Sequence, residues 1–92
     1  MEKEVILQEL ENICEKLGVK LRYENGDFVG GLCRISEEKF IIVNKKLIID
    51  KKIMLIANEI STLNFEEIFI LPAIKEIIIE NSSLDVSNIK MV

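Results

Sequence analysis

The sequence predicts a single α+β domain that spans residues 1–92. Three patterns carry this prediction: a helical period near the amino terminus, strict alternation of apolar and polar residues from Val19 to Glu24, and a second helical stripe from Ile53 to Leu63. With 92 residues, 49% of them hydrophobic, the chain can fill one core and has little room for two. We expect an N-terminal helix, roughly three antiparallel strands, a central buried helix and short C-terminal helices.

The N-terminal helix is predicted from Glu2 to Leu17. Its charged residues occupy the solvent side, and Gly18 follows at the point where a helix commonly ends in a left-handed residue. The alternating strand begins directly after this glycine. The apolar residues of the helix recur every three or four positions and so share one face: Ile6, Leu10, Ile13 and Leu17.

A tight turn is predicted at Asn25-Gly26, because both central positions of a type I′ turn need positive φ and these two residues tolerate it. We expect the first strand to turn back there into a second strand that begins near Phe28. The pair Gly30-Gly31 then marks a bulge, a bend or a close approach of the backbone.

A further hairpin is predicted around the polar stretch 36–39, interpreted as a four-residue loop. In this hairpin Ile35 pairs with Phe40 and Cys33 with Ile42, so these four apolar side chains share one face. The opposite face is too apolar to be fully solvated, and we expect a helix, a loop or another subunit to cover part of it. Its members are Leu32, Arg34, Ile41 and Val43.

The central helix is predicted to run from Asp50, a suitable N-cap, to about Leu63. Met54 and Leu55 widen its apolar surface beyond one face, which indicates a deeply packed helix. The buried stripe consists of Ile53, Ile56, Ala57, Ile60 and Leu63.

The C-terminal region contains one clear helix signal. Pro72 suits the first turn of a helix that runs to about Glu80. Before it, Asn64–Glu67 matches a capping box and predicts a short helix or turn, whereas the apolar run 68–71 is compatible with a strand or a helix. Residues 81–92 are expected to form a loose tail.

Composition excludes several kinds of chemistry. The chain has seventeen Ile and thirteen Glu but no His and no Trp. Without an imidazole it cannot form a Ser-His-Asp or Cys-His nucleophile or a histidine-ligated zinc site. A net charge of −4 with only two Arg argues against nucleic acid as a partner. The sequence therefore predicts no cofactor and assigns no catalytic or metal-binding residue.

Neither a membrane segment nor a signal peptide is predicted. The longest apolar run, Ile53 to Ala57, is far shorter than the roughly 20 residues of a spanning helix. The amino terminus is charged and lacks an apolar core. Cys14 and Cys33 do not have the CxxC spacing of zinc or redox sites and are interpreted as reduced thiols. These features predict a cytoplasmic protein.

A family resemblance spans residues 5–63. It rests on Leu17-Gly18-Val19, on the strand end Ile41-Ile42-Val43-Asn44 with Leu47, and on the helical stretch Ile56-Ala57-Asn58-Glu59-Ile60-Ser61-Thr62-Leu63. This arrangement resembles the N-terminal half of an ImmA/IrrE-type metallopeptidase domain. In that family a helix, a small sheet and an Asn-ended strand lead into a helix that carries the HExxH zinc motif.

The zinc motif itself is altered in this chain. In HExxH the two histidines, four positions apart on one helix face, chelate zinc while the glutamate polarises the metal-bound water. Here the histidine positions hold Asn58 and Thr62, whose neutral oxygens are poor zinc ligands, and only Glu59 keeps its chemistry. Asn58, Glu59 and Thr62 form the candidate polar cluster, either a solvated or hydrogen-bonded strip or a remnant cleft with a binding role.

The layout also resembles small bacterial proteins of about this length. The similar segments are Gly30–Ile35, Asn44-Lys45 and Pro72–Glu76. This second resemblance implies no known activity.

Two interpretations of function follow. The first is a non-catalytic interaction or structural module that resembles a zincin without its metal, with a protein partner or a second copy in a homodimer. The alternative is an enzyme of another class that uses Cys33, beside Gly30-Gly31, or Glu59 as its reactive group. A concave pocket that converges on one of these side chains would favour the enzyme.

Overall fold

The computed structural model describes residues 1–82, so most of the predicted tail lies outside the described residues. The elements are α1 (Lys3–Lys16), β1 (Val19–Glu24), β2 (Gly30–Ile35), β3 (Glu38–Asn44), α2 (Ile49–Ser61), a 3-10 helix (Phe65–Glu67) and α3 (Pro72–Glu80). The predicted α+β class is confirmed. None of the helices within this range has the length and apolar character needed to cross a membrane.

The three strands form a mixed sheet in the order β1-β3-β2. The central strand β3 is parallel to β1 and antiparallel to β2. The expectation of a purely antiparallel sheet is therefore wrong in this detail. The run from Phe40 to Val43 makes β3 the most apolar strand, and its central place pairs its backbone on both sides.

The predicted turn at Asn25-Gly26 does not close a hairpin, because residues 25–29 carry the chain past β3 to its far side. The fully buried Asn44 holds this connection. Its Nδ2 donates to the carbonyl oxygens of Gly26 and Phe28, each at 2.7 Å, and its Oδ1 accepts from the Lys46 N–H at 2.8 Å. A local turn preference is thus overridden by hydrogen bonds from a side chain distant in sequence.

The predicted hairpin between β2 and β3 is present with a shifted register. Cys33 pairs with Phe40 and Ile35 with Glu38, so the loop consists of Ser36 and Glu37 instead of four residues. Ser36 adopts a left-handed φ of 57°, which allows the shorter turn. Because the register differs by two residues, every side chain keeps its predicted face.

The helices cover one face of the sheet, where α1 packs on β1 and α2 packs on β2 and β3. Ile41 and Val43 are fully buried there, which confirms that a helix covers this apolar face. Alternate β1 residues, Val19, Leu21 and Tyr23, join the same core. From the helices the core receives Leu10, Ile13, Cys14, Leu55, Ile56, Ala57, Ile60, Ile74 and Ile78.

Helix boundaries agree with the sequence at most ends. Gly18 follows α1 with φ 75°, as expected of a left-handed residue beyond a C-cap, and α3 begins at Pro72. The predicted N-cap of α2 is wrong: Ile48 occupies that position, and Asp50 lies in the first turn, where it pairs with Lys3 at 2.8 Å. Residues 68–71 form neither of the two predicted structures.

Alkaline pH should destabilise the fold through two buried groups. Burial, together with a hydrogen bond to the Glu11 carboxylate, raises the pKa of the Tyr23 hydroxyl, and burial raises the pKa of the Cys14 thiol to about 12. Both groups are neutral when folded, so their contribution is complete below their unfolded pKa values and is lost as pH rises toward the folded ones. We expect the unfolding free energy to fall above about pH 9. Tyr23→Phe should flatten this fall in urea titrations, and an unchanged slope would contradict it.

Candidate functional site

The carboxyl-terminal half of α2 carries the three candidate polar residues. Asn58 is 7% exposed, and its Nδ2 donates to the carbonyl oxygen of Asn81 at 2.8 Å. Asn81 ends α3, and its own Nδ2 donates to the Ile77 carbonyl at 2.8 Å. Asn58 therefore holds the end of α3 against α2.

Glu59 is half-buried and extends in a different direction, toward the edge strand β2. Its carboxylate faces the backbone N–H of Leu32, and a Cβ placed on Gly31 would lie 3.8 Å from Oε1. Burial raises the pKa of the Glu59 carboxyl, while the Leu32 N–H opposes this shift because it stabilises the charged form. The absence of a side chain at Gly31 leaves space for this carboxylate beside the strand.

Thr62 lies just beyond the last turn of α2 and is exposed. Its Oγ1 donates to the carbonyl oxygen of Glu59 at 2.7 Å, a bond within the same helical turn. Asn58, Glu59 and Thr62 thus contact three different places: the end of α3, the edge of β2 and the helix itself. The structure does not bring the three side chains together on one partner.

A shallow groove follows the Gly30-Gly31 segment of β2. Its volume is about 390 Å³, and Cys33 is among its lining residues. Cys33 is half-buried, and Glu59 approaches Gly31 at the edge of the same strand. The full lining consists of Phe28, Val29, Gly30, Gly31, Leu32, Cys33 and Ile42.

One of the two thiols should react in the native protein. Cys33 borders the groove, whereas Cys14 is 1% exposed and its pKa of about 12 leaves almost no thiolate at neutral pH. Titration with DTNB at low protein concentration should give one equivalent quickly and the second only in denaturant. Cys33→Ser should remove the fast equivalent. Two fast equivalents in native buffer would contradict the burial of Cys14.

The sheet face opposite the helices was not identified as the exposed one from the sequence. We call it the open face, and it is defined by Cys33, Ile35, Phe40 and Ile42. None of these four side chains belongs to the hydrophobic core cluster of residues 1–82. Phe40 is nevertheless 9% exposed because neighbouring side chains cover it, whereas Ile35 is 56% exposed at the edge of the sheet.

Charged residues of β1 flank the open face. The Lys20 Nζ lies 5.8 Å from the centre of the Phe40 ring and 3.1 Å from the Glu38 carboxylate. Arg22 pairs with Glu24 at 2.8 Å on the same strand. The face therefore has a charged strip along β1 and an apolar strip along β2 and β3. The alternation in the sequence predicts that these four residues share one face. That the helices pack on the opposite face is seen only in the structure.

Within residues 1–82, no group of three or more acidic or cysteine side chains is arranged to hold a metal ion. No protein-family model, no curated protein and no solved structure matches this chain.

Proposed function

We propose that this protein is a non-catalytic, cytoplasmic bacterial module that binds another protein through its open face. The observation that carries the proposal is the open face itself, on which Ile35 is 56% exposed and Cys33 and Ile42 are half-buried. Apolar side chains gathered on one solvent-facing surface are typical of protein contacts. A net charge of −4 favours protein over nucleic acid as the partner, and two unpaired cysteines are in keeping with a reducing compartment.

The contacts of α2 support a role without metal chemistry. Asn58 and Thr62 occupy the two positions that hold zinc ligands in the metallopeptidases that this chain resembles. Each donates a side-chain hydrogen bond to a backbone carbonyl. Asn58 is also covered by α3, so a ligand there would have to displace a structural hydrogen bond. In this proposal, the polar groups at these two positions stabilise the fold instead of binding a metal.

Metal analysis tests the non-catalytic part of the proposal. We expect the full chain, incubated with zinc and then dialysed, to retain well below one zinc per chain and to leave casein intact. A stoichiometric zinc content accompanied by peptide hydrolysis would overturn the proposal.

The binding part is tested with matched substitutions on the two faces of β3 and β2. Ile35→Asp changes the open face and should leave the thermal unfolding midpoint close to that of the native chain. Ile41→Asp, in the core, should prevent folding because it buries an unpaired charge. In affinity capture, proteins held by the native chain should be lost with Ile35→Asp, and an unchanged set would count against the open face.

A second candidate is an enzyme that uses Cys33 or Glu59. It is favoured by the groove beside Gly30-Gly31, which Cys33 lines and whose strand the Glu59 carboxylate approaches. If Cys33 is an activated nucleophile, iodoacetamide should alkylate it faster than free cysteine at neutral pH. A rate equal to that of free cysteine would exclude Cys33 as an activated nucleophile.

A further inference from the structure

Within residues 1–82, no strand pairs with the outer edge of β2. The Asn44 N–H donates to the Val29 carbonyl at 3.1 Å, which means that the backbone groups of 29, 31, 33 and 35 face β3. Those of Gly30, Leu32 and Arg34 therefore face away from the sheet. Such an edge is a template for another strand unless something blocks it. At Leu32 the blocking group is the Glu59 carboxylate.

Two side chains of opposite charge, Arg34 and Glu59, belong to this region of the fold. Arg34 and Glu59 make no salt bridge in the part of the chain that the structure describes. Arg34 pairs in register with Lys39, so its side chain projects on the helix side of the sheet, the side on which α2 carries Glu59. Among residues 1–82, the half-buried carboxylate faces the Leu32 backbone N–H and makes no ion pair.

We propose that β2 pairs in antiparallel orientation with β2 of a second copy of this chain, about a two-fold axis at Cys33. The proposal rests on the proposed function, because β2 carries two of the four open-face residues. The pairing places Leu32 opposite Arg34 of the partner subunit, and Ile35 opposite Gly31 of the partner subunit. The two sheets then join into one sheet of six strands.

Charge and shape argue for a second copy as the occupant of this edge. On the helix side, the partner subunit's Arg34 lies beside Leu32, where the Glu59 carboxylate is located. Glu59 exchanges the Leu32 N–H for this guanidinium, and the N–H then donates to the partner strand. On the other side, Ile35 covers Gly31 of the partner subunit, which has no side chain to oppose it. The two-fold axis makes each contact twice.

The axis gives the proposal a chemical signature at Cys33. Across the new edge Cys33 and its copy form a pair that is not hydrogen-bonded, with Cα atoms about 4.5 Å apart. This separation is within the range of about 4.4–6.8 Å that disulfides span. Mild oxidation with diamide should therefore join two chains through Cys33 and leave the buried Cys14 unmodified.

Sedimentation of the full chain tests the association. At high micromolar concentration we expect a species of twice the chain mass of 10.6 kDa. Arg34→Glu and Glu59→Lys should each weaken the dimer at least about tenfold, because each places like charges together. The double variant, which swaps the charges, should restore it. Arg22→Glu, on the opposite edge strand, is the matched control and should leave the dimer intact.

Two results would overturn the proposal. One is a monomer at all concentrations, with no covalent dimer that maps to Cys33 after oxidation. The other is a dimer that both single charge reversals leave unchanged. Either result leaves the proposed function standing, since metal content, casein hydrolysis and the Ile35→Asp capture are measured separately.

Discussion

Gly30→Ala should lower the unfolding free energy by about 3 kcal/mol or more. This is the largest effect that we expect from a substitution that removes no existing contact. A Cβ at this position would lie 2.1 Å from the Ile42 carbonyl oxygen and 2.9 Å from the Leu55 Cδ2. The first contact is with backbone of the central strand, which cannot move without breaking the sheet. In addition, φ of Gly30 is 133°, which side chains rarely adopt.

The matched control is Gly18→Ala. Gly18 also has positive φ, at 75°, but a Cβ there would meet nothing within 4 Å. Its substitution should cost only the left-handed conformation, about 1 kcal/mol. Urea unfolding of both variants separates the clash from the dihedral strain. Equal losses at the two positions would show that β2 does not approach Leu55 and Ile42 this closely.

Asn44→Asp should lower the unfolding free energy by roughly 3 kcal/mol at neutral pH. The substitution keeps the size of the side chain and the oxygen that accepts from the Lys46 N–H. It replaces the donor Nδ2 by an oxygen that faces two carbonyls, those of Gly26 and Phe28, in a fully buried position. The connection that carries the chain past β3 would then lose the two hydrogen bonds donated by the Asn44 Nδ2.

The pH dependence of this variant gives a second readout. The introduced carboxyl should have its folded-state pKa raised, because burial and two carbonyl oxygens disfavour its charge. Its cost is then smallest at acidic pH and grows as pH rises through the folded-state pKa. Asn64→Asp, at an exposed position with no capping bond, should change stability by less than about 0.5 kcal/mol. Equal effects at both positions would contradict the role of Asn44.

The helices of this protein follow from local sequence patterns. The apolar stripe in α2 is buried as its period predicts, and Gly18 and Pro72 stand at the helix boundaries expected of them. These signals act within one or two turns of chain, so they operate whatever the rest of the protein does. The exception, Asp50, pairs with Lys3 across the molecule instead of capping its own helix.

The pairing of the strands could not be predicted from local sequence patterns. Asn25-Gly26 has the sequence of a tight turn, yet its preference of the order of 1 kcal/mol is outweighed by the buried hydrogen bonds of Asn44. The alternation in β2 and β3 did assign side chains to faces correctly. It could not assign either face to the helices, because both contain four residues of which most are apolar.

The candidate site likewise combines local features, which the sequence predicts, with contacts between distant segments, which it does not. The expected resemblance to a zincin helix singled out Asn58, Glu59 and Thr62, because their spacing on a helix is a local property. Their partners, Asn81, Leu32 and the helix backbone, come from elements that meet only in the folded chain. Similarly, the outer edge of β2, where Glu59 faces Leu32, exists because β3 lies between β1 and β2.

By itself, the sequence determined the fold class, the helices and most of their boundaries, the absence of histidine, and which residues of β2 and β3 share a face. Each of these depends on residue type or on a short period along the chain. The tertiary structure decided the order β1-β3-β2, the open face and the direction of Glu59. These depend on which distant surfaces pack together, and that choice is made by burial of the whole apolar core and not by any one segment.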